Sequence, residues 1–160
     1  MVFNPKKFIL ESENEIKKRI GREHAITALS GGVDSFVAAT LASKALPGQI
    51  HAFYVDNGLM RKDETEKVAA VAKALGVELN VIDARKRFLT VLSGIEDPEK
   101  KRKIIGEMFV RIFEEEAKKN KEKFLIQGTI APDWIESGGM GRDTIKSHHN
   151  VGGLPEKMHL

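Results

Sequence analysis

The sequence predicts an α/β fold, a doubly wound parallel sheet with helices on both faces. Three observations predict it. Apolar runs of strand length alternate with helical segments in the order β-α-β-α-β as far as Ile82. The connections are short and carry glycine, proline or Asn-Gly breaks. One of them, Ser30-Gly31-Gly32-Val33-Asp34-Ser35, joins a strand to a helix in the manner of an anion-binding loop.

Asn4-Pro5 reads as a helix start, Asn as cap and Pro in the first turn. That helix is expected to run to about Ile20, with Phe8, Ile9, Ile16 and Ile20 on its apolar side and Gly21 as its stop. His24 to Leu29 is the first strand. The loop and a helix to about Leu46 follow, and Pro47-Gly48 breaks that helix. Ile50 to Val55 is a second strand, almost continuously apolar, as befits a strand covered on both faces. Asp56-Asn57-Gly58 is a turn signal at its carboxyl end.

Asp63 to Leu75 is helical, with Val68, Val71, Ala72 and Leu75 at helical spacing and Gly76 as its end. Val77 to Ile82 is a third strand, reached by right-handed crossovers. A short helical piece (Arg87 to Leu92) precedes a long helix from about Pro98 to Lys119. Ile104, Ile105, Met108, Phe109, Ile112 and Phe113 form its apolar stripe, and Glu115→Lys119 is a supporting pair. Phe124 to Gln127 is strand four. Beyond Gly128-Thr129 the chain turns glycine-rich (Gly138 to Asp143), then polar and turn-rich (Ser147 to Gly153).

The chain has 160 residues, enough for one domain with a real core, and 41% are apolar against 31% charged. No apolar run approaches the roughly 18 residues of a membrane span, and the N-terminus lacks a secretory segment. A cytoplasmic protein without a membrane partner is expected. There is no cysteine, which excludes disulfides, thiolate metal sites and a cysteine nucleophile within these residues. The net charge is +3, with acid and base interleaved, as in Glu11, Glu13 and Glu15 beside Lys17, Lys18 and Arg19. No basic stripe marks a nucleic-acid partner.

The loop carries the chemistry. Its glycines let backbone approach an anion, and the helix behind it offers unpaired N–H groups and the positive end of its dipole. Ser30 and Ser35 add hydroxyls. Asp34 is an acid where an anion is expected, which points to a metal ion between carboxylate and phosphate. The plain alternative is a turn of small residues. In open parallel sheets ligands sit outside the carboxyl ends of the strands, where strand order reverses. The loop, Asp56-Asn57-Gly58, Asp83 to Arg87, and Gln127-Gly128-Thr129 all fall at that edge. The dinucleotide fingerprint and the Walker A lysine motif are both absent.

Ser-Gly-Gly-Val-Asp-Ser resembles the signature of the ATP pyrophosphatases, the PP-loop family, whose fold is of the adenine nucleotide alpha hydrolase kind. Four later strings are similar to GMP synthetases, including the archaeal type in which this part is a polypeptide of its own. They are Phe53 to Arg61, Asp97 to Gly106, Gln127 to Ser137, and Ile145 to Pro155. The resemblance implies an ATP-dependent ligase of purine biosynthesis with Mg²⁺ as cofactor. Xanthosine monophosphate is adenylated by ATP with loss of pyrophosphate, and ammonia then displaces AMP to leave GMP. It further implies an N-terminal helix over 1–22 and an ATP pyrophosphatase domain over 23–160, truncated before a C-terminal dimerisation domain. Partners would be a separate glutaminase subunit, since no cysteine is present, and a second copy joined through the missing region.

Residue by residue, the resemblance assigns ATP binding to Ser30, Gly31, Gly32, Val33, Asp34, Ser35 and Phe36. Ala28, Val55 and Gly128 are placed to contact adenosine, with Gly128 a position where a side chain would block approach. Asp34 is the metal or phosphate organiser. Arg102 matches the arginine that holds the acceptor phosphate, against the plain alternative of a solvated charge in the Lys100 to Lys103 cluster. Asp133, Glu136 and Lys146 match catalytic charges of a lid; surface charge is their alternative. His148-His149 read as lid residues rather than a metal pair, Trp134 as a packing anchor, and Asp56 as either a ligand or a turn-former. The fragment alone is expected to bind ATP weakly and turn over slowly. Competing readings are another PP-loop adenylating enzyme, of the tRNA-thiolating or NAD synthetase-like kind, and a non-catalytic nucleotide-binding module.

Overall fold

The computed structural model describes residues 3–128. Its elements run α1 (Pro5–Ile20), β1 (Ala25–Ala28), α2 (Val33–Ala45), β2 (Ile50–Asp56), α3 (Glu64–Ala74), β3 (Leu79–Asp83), α4 (Arg85–Leu92), α5 (Pro98–Asn120) and β4 (Phe124–Ile126). The four strands form one parallel sheet in the order β3-β2-β1-β4. The chain therefore steps outward from β1 to β3 and then crosses back to the other side of β1. That reversal puts the switch point between β1 and β4.

Strand β2 shows why both faces need cover. Ala52 and Tyr54 pack with Phe36 and Ala39 of α2 and Val68 and Ala72 of α3. The alternate residues face the opposite layer: Phe53 meets Ala117, and Val55 meets Phe88 and Ile112. This is the two-residue strand period expressed as two cores. The sheet is doubly wound, as the alternation of elements predicts.

Several helix faces differ from expectation. In α1 only Ile20 is buried, and Ile16 packs beside it; Phe8 is 47% and Ile9 40% exposed. Asn4 does cap the helix, its Oδ1 accepting from the Lys7 N–H at 3.1 Å, and Phe8 packs on Phe3 with ring centroids 5.6 Å apart. That is a hydrophobic staple across the cap, so Phe8 serves the helix end and not the core. In α3, Val68 and Ala72 are buried whereas Val71 and Leu75 are exposed, because the helix meets the sheet along one narrow line. Val77 turns inward before β3 begins, its N–H donating to Ala72 O at 2.9 Å. Helix α4 starts at Arg85, two residues early, because Asp83 Oδ1 accepts the Arg85 N–H.

Lys119 acts on Glu115 through its charge and not through a direct bond. Glu115 instead takes a two-pronged bond from Arg87 of α4, at 2.8 and 2.9 Å, and Lys119 pairs with Glu116. A planar guanidinium matching a carboxylate outcompetes a flexible ammonium one turn away. No helix among the described residues is long and apolar enough to cross a membrane.

Candidate functional site

At the carboxyl edge of β1 the loop is fastened by its own hydroxyls. Ser35 is 6% exposed. Its Oγ donates to Gly32 O at 2.8 Å and accepts from both the N–H and the hydroxyl of Ser30 at 3.2 Å. Ser30 Oγ in turn accepts the Gly32 N–H at 3.3 Å. Gly31 sits at φ +85°, where a side chain is strained. Helix α2 then starts with Gly32 as its cap and no side chain bonded there, leaving first-turn amides for an anion. Val33 is exposed and Asp34 half-buried on that turn.

The neighbours expected to touch adenosine divide. Ala28, half-buried at the end of β1, lies at the edge. Val55 is 3% exposed with its side chain in the core, so only its backbone faces the edge. Phe36 likewise packs its ring in the core. Gly128 follows β4 at the switch point. A Cβ there would stand 2.5 Å from Asp34 O and 2.7 Å from the Ser35 nitrogen. The glycine is demanded by the α2 backbone, so what a side chain would obstruct is the chain itself. Buried Thr27 ties the same seam from inside, its hydroxyl donating to Ile126 O at 3.0 Å.

Asp56 acts as a turn-former. Its Oδ1 accepts the Gly58 N–H at 2.9 Å, and Thr65 Oγ1 reaches its other oxygen at 3.4 Å. Beside it opens a cleft of about 460 Å³, lined among others by Met60, Arg61, Glu64, Asp83 and Arg85. Arg85 binds Asp83 through Nε at 2.8 Å and Nη2 at 2.5 Å, and this holds the Asp83 carboxyl at about 2. Burial pushes the Tyr54 hydroxyl up from its ordinary value.

Arg102 lies in the early turns of α5. That helix runs back against the strands, so its first turn stands at the same edge. Its guanidinium pairs with Glu99, and Asp97 caps the helix through the Lys100 N–H at 2.7 Å. Thr129, Asp133, Trp134, Glu136, Lys146, His148 and His149 lie outside the described residues.

Among the described residues no cluster of three or more His, Cys, Asp or Glu could hold a metal. Within the loop itself the donor set is one carboxylate, Asp34, beside amides suited to phosphate. That set fits Mg²⁺, which takes one or two carboxylates plus substrate phosphates and waters. A residue that sequence reading missed is Glu64, whose side chain lies against Gly31 across a long sequence separation.

A family model described as NAD synthase matches residues 6–129. The chain is 58% identical over 153 residues to a GMP synthase [glutamine-hydrolyzing] of Thermotoga petrophila, covering 94% of this chain and 30% of that protein. It is 53% identical over 155 residues to one of the subunits of a GMP synthase [glutamine-hydrolyzing] from Pyrococcus horikoshii, covering 96% of this chain and 49% of that subunit. The chain thus spans between about a third and a half of these curated relatives. Two solved structures share the fold. One is an NH3-dependent NAD synthetase from Campylobacter jejuni, with TM-score 0.71, 16% identity, and coverage of 89% of this chain and 63% of that one. The other is an NMN synthetase from Francisella tularensis, with TM-score 0.69, 20% identity, and coverage of 87% and 60%.

Proposed function

This chain belongs to the NAD synthase family, and we propose that it is the ATP pyrophosphatase part of a GMP synthase. The observation that carries the reading is a phosphate loop at the switch point of a chain 58% identical to a protein named GMP synthase. The NAD synthase model covers the ATP-handling fold. The acceptor is read from the strings at 97–106 and 127–155.

The reaction is adenylation followed by amination. The 2-oxygen of xanthosine monophosphate attacks the α-phosphate of ATP, and the bond to the β-phosphate oxygen breaks to release pyrophosphate. Ammonia then adds at the purine carbon, and AMP leaves with the former 2-oxygen. The Gly31 and Gly32 backbone and the first-turn amides of α2 hold the departing pyrophosphate, stabilising charge as it develops. Asp34 is the residue that would hold Mg²⁺, which when bound would supply neutralisation of the phosphate charge. Arg102 takes the acceptor's phosphate after exchanging out of its pair with Glu99. Asp133, Glu136 and Lys146 are assigned to a lid that closes over both substrates.

Ammonia comes from a glutaminase supplied by another polypeptide segment, and a C-terminal dimerisation region completes the acceptor site. The test is product analysis with the intact protein, ATP, Mg²⁺ and ammonium, with and without xanthosine monophosphate. Acceptor-dependent AMP, pyrophosphate and GMP are expected. ATP cleavage to ADP, or AMP formation that prefers another acceptor, would reject the reading.

A further inference from the structure

Helix α3 is the wall against which the phosphate loop rests. At Gly31 a Cβ would lie 3.3 Å from Val68 Cγ2 and 3.5 Å from Glu64 Oε1. Val68 is 4% exposed and shares a core with Leu29 and Phe36, which bracket the loop. Glu64, one helical turn earlier, reaches the loop through an unusual turn. Asp63 before it holds φ +59°, a conformation non-glycine residues keep only under constraint. The turn closes reciprocally: the Arg61 N–H donates to Glu64 Oε2 at 2.9 Å, and the Glu64 N–H donates to Arg61 O at 3.1 Å. One carboxylate oxygen is thereby fixed, and the other is held at the flank of Gly31.

We propose that Glu64 is a positioning residue for the phosphate loop, setting the Gly31 edge of the cradle through its bond to Arg61 without touching the nucleotide. The proposal rests on the reading of that loop as a pyrophosphate cradle. If it holds, reach matters and charge does not. An amide of the same length can still accept from the Arg61 N–H, whereas a shorter carboxylate keeps its charge and cannot reach.

The experiment is calorimetric titration of the protein with inorganic pyrophosphate and with Mg-ATP, alongside thermal melts, for the parent, Glu64→Ala, Glu64→Asp and Glu64→Gln. Expected are losses of about tenfold in both affinities for Ala and Asp, and recovery to within about twofold for Gln. Binding of xanthosine monophosphate should be unmoved in all three. Glu64→Gln as weak as Glu64→Ala, or Glu64→Asp at parental affinity, would show the charge itself acting on the ligand and overturn the proposal. Parental affinity in Glu64→Ala overturns it as well. A parent that fails to bind pyrophosphate removes the cradle reading, and the proposal falls with it; a binding parent with an indifferent variant removes the proposal alone.

Discussion

Replacing Gly128 by Ala tests the seam between β4 and the phosphate loop. The new Cβ would come within 2.5 Å of Asp34 O, 2.6 Å of Asp34 C and 2.7 Å of Ser35 N. The nearest approach is about 0.9 Å short of the 3.4 Å at which ordinary contact begins. All three atoms are backbone, in the first turn of a helix whose far side is packed on the core. No flexible side chain can swing away, so either the end of β4 or the start of α2 must move. Overpacking of this kind costs roughly 1–3 kcal/mol. Gly32→Ala is the internal control, because its nearest neighbour is Ser30 Oγ at 3.3 Å and its φ is −81°. Equilibrium urea unfolding reads the stability, and titration with ATP reads the displacement of the loop. Gly128→Ala should lose more stability than Gly32→Ala, which is a control for stability alone, and should lose ATP affinity relative to the parent. A Gly128→Ala protein within about 0.3 kcal/mol of the parent and with parental ATP affinity would refute the close packing of these backbones.

Other outcomes follow from the same geometry. Ser35→Ala removes a buried hydroxyl with three loop partners and should cost about 1–2 kcal/mol in urea unfolding, more than Ser30→Ala. The Arg87–Glu115 bridge should show a coupling of about 0.5–1 kcal/mol in a double-mutant cycle, the upper part of the surface range, because it is two-pronged; zero coupling would discount it. Arg85 depresses the Asp83 carboxyl from 3.8 to about 2, so this pair adds stability above pH 3.8 that is lost as pH falls toward about 2. Asp83→Asn should remove that part of the acid loss in urea midpoints measured from about pH 5 to about pH 2. Phe8→Ser should stay within about 0.5 kcal/mol of the parent, whereas Ile20→Ala should cost about 2 kcal/mol or more in the same assay.

The strand-loop-helix unit was legible because its signals are local: an apolar run, paired glycines and hydroxyls, then a helix. Parallel pairing followed from the short crossovers, and the carboxyl edge of the sheet gathered the loop with the other strand ends, but the order that puts the loop at the switch point came only with the structure. Helix faces were less legible. A 3.6-residue period marks Phe8 and Val71 as apolar-side residues, but it does not say how wide a strip the sheet covers. Phe8 found Phe3, and Val71 found solvent. Charge pairing was only partly legible for a similar reason, since spacing gives Lys119 as a nearby charge for Glu115 while its direct partner, Arg87, is brought in by the packing of α4 on α5. At Gly128, expected as a place where a side chain would block adenosine, the α2 backbone itself leaves no room for a Cβ. Glu64 left no sequence signal, because its place beside Gly31 exists only once α3 has docked. Asp133, Glu136 and Lys146 lie outside the described residues, and their assignment comes from the resemblance.

The central claim is that the acceptor oxygen, and not water, attacks the α-phosphate of ATP. Xanthosine monophosphate labelled with heavy oxygen at its 2-position tests this directly in the intact protein supplied with ATP, Mg²⁺ and ammonium. Mass spectrometry of the AMP formed should find the label on its phosphate, with pyrophosphate unlabelled and GMP lacking the oxygen. Unlabelled AMP, with the label retained in the purine nucleotide, would contradict the account.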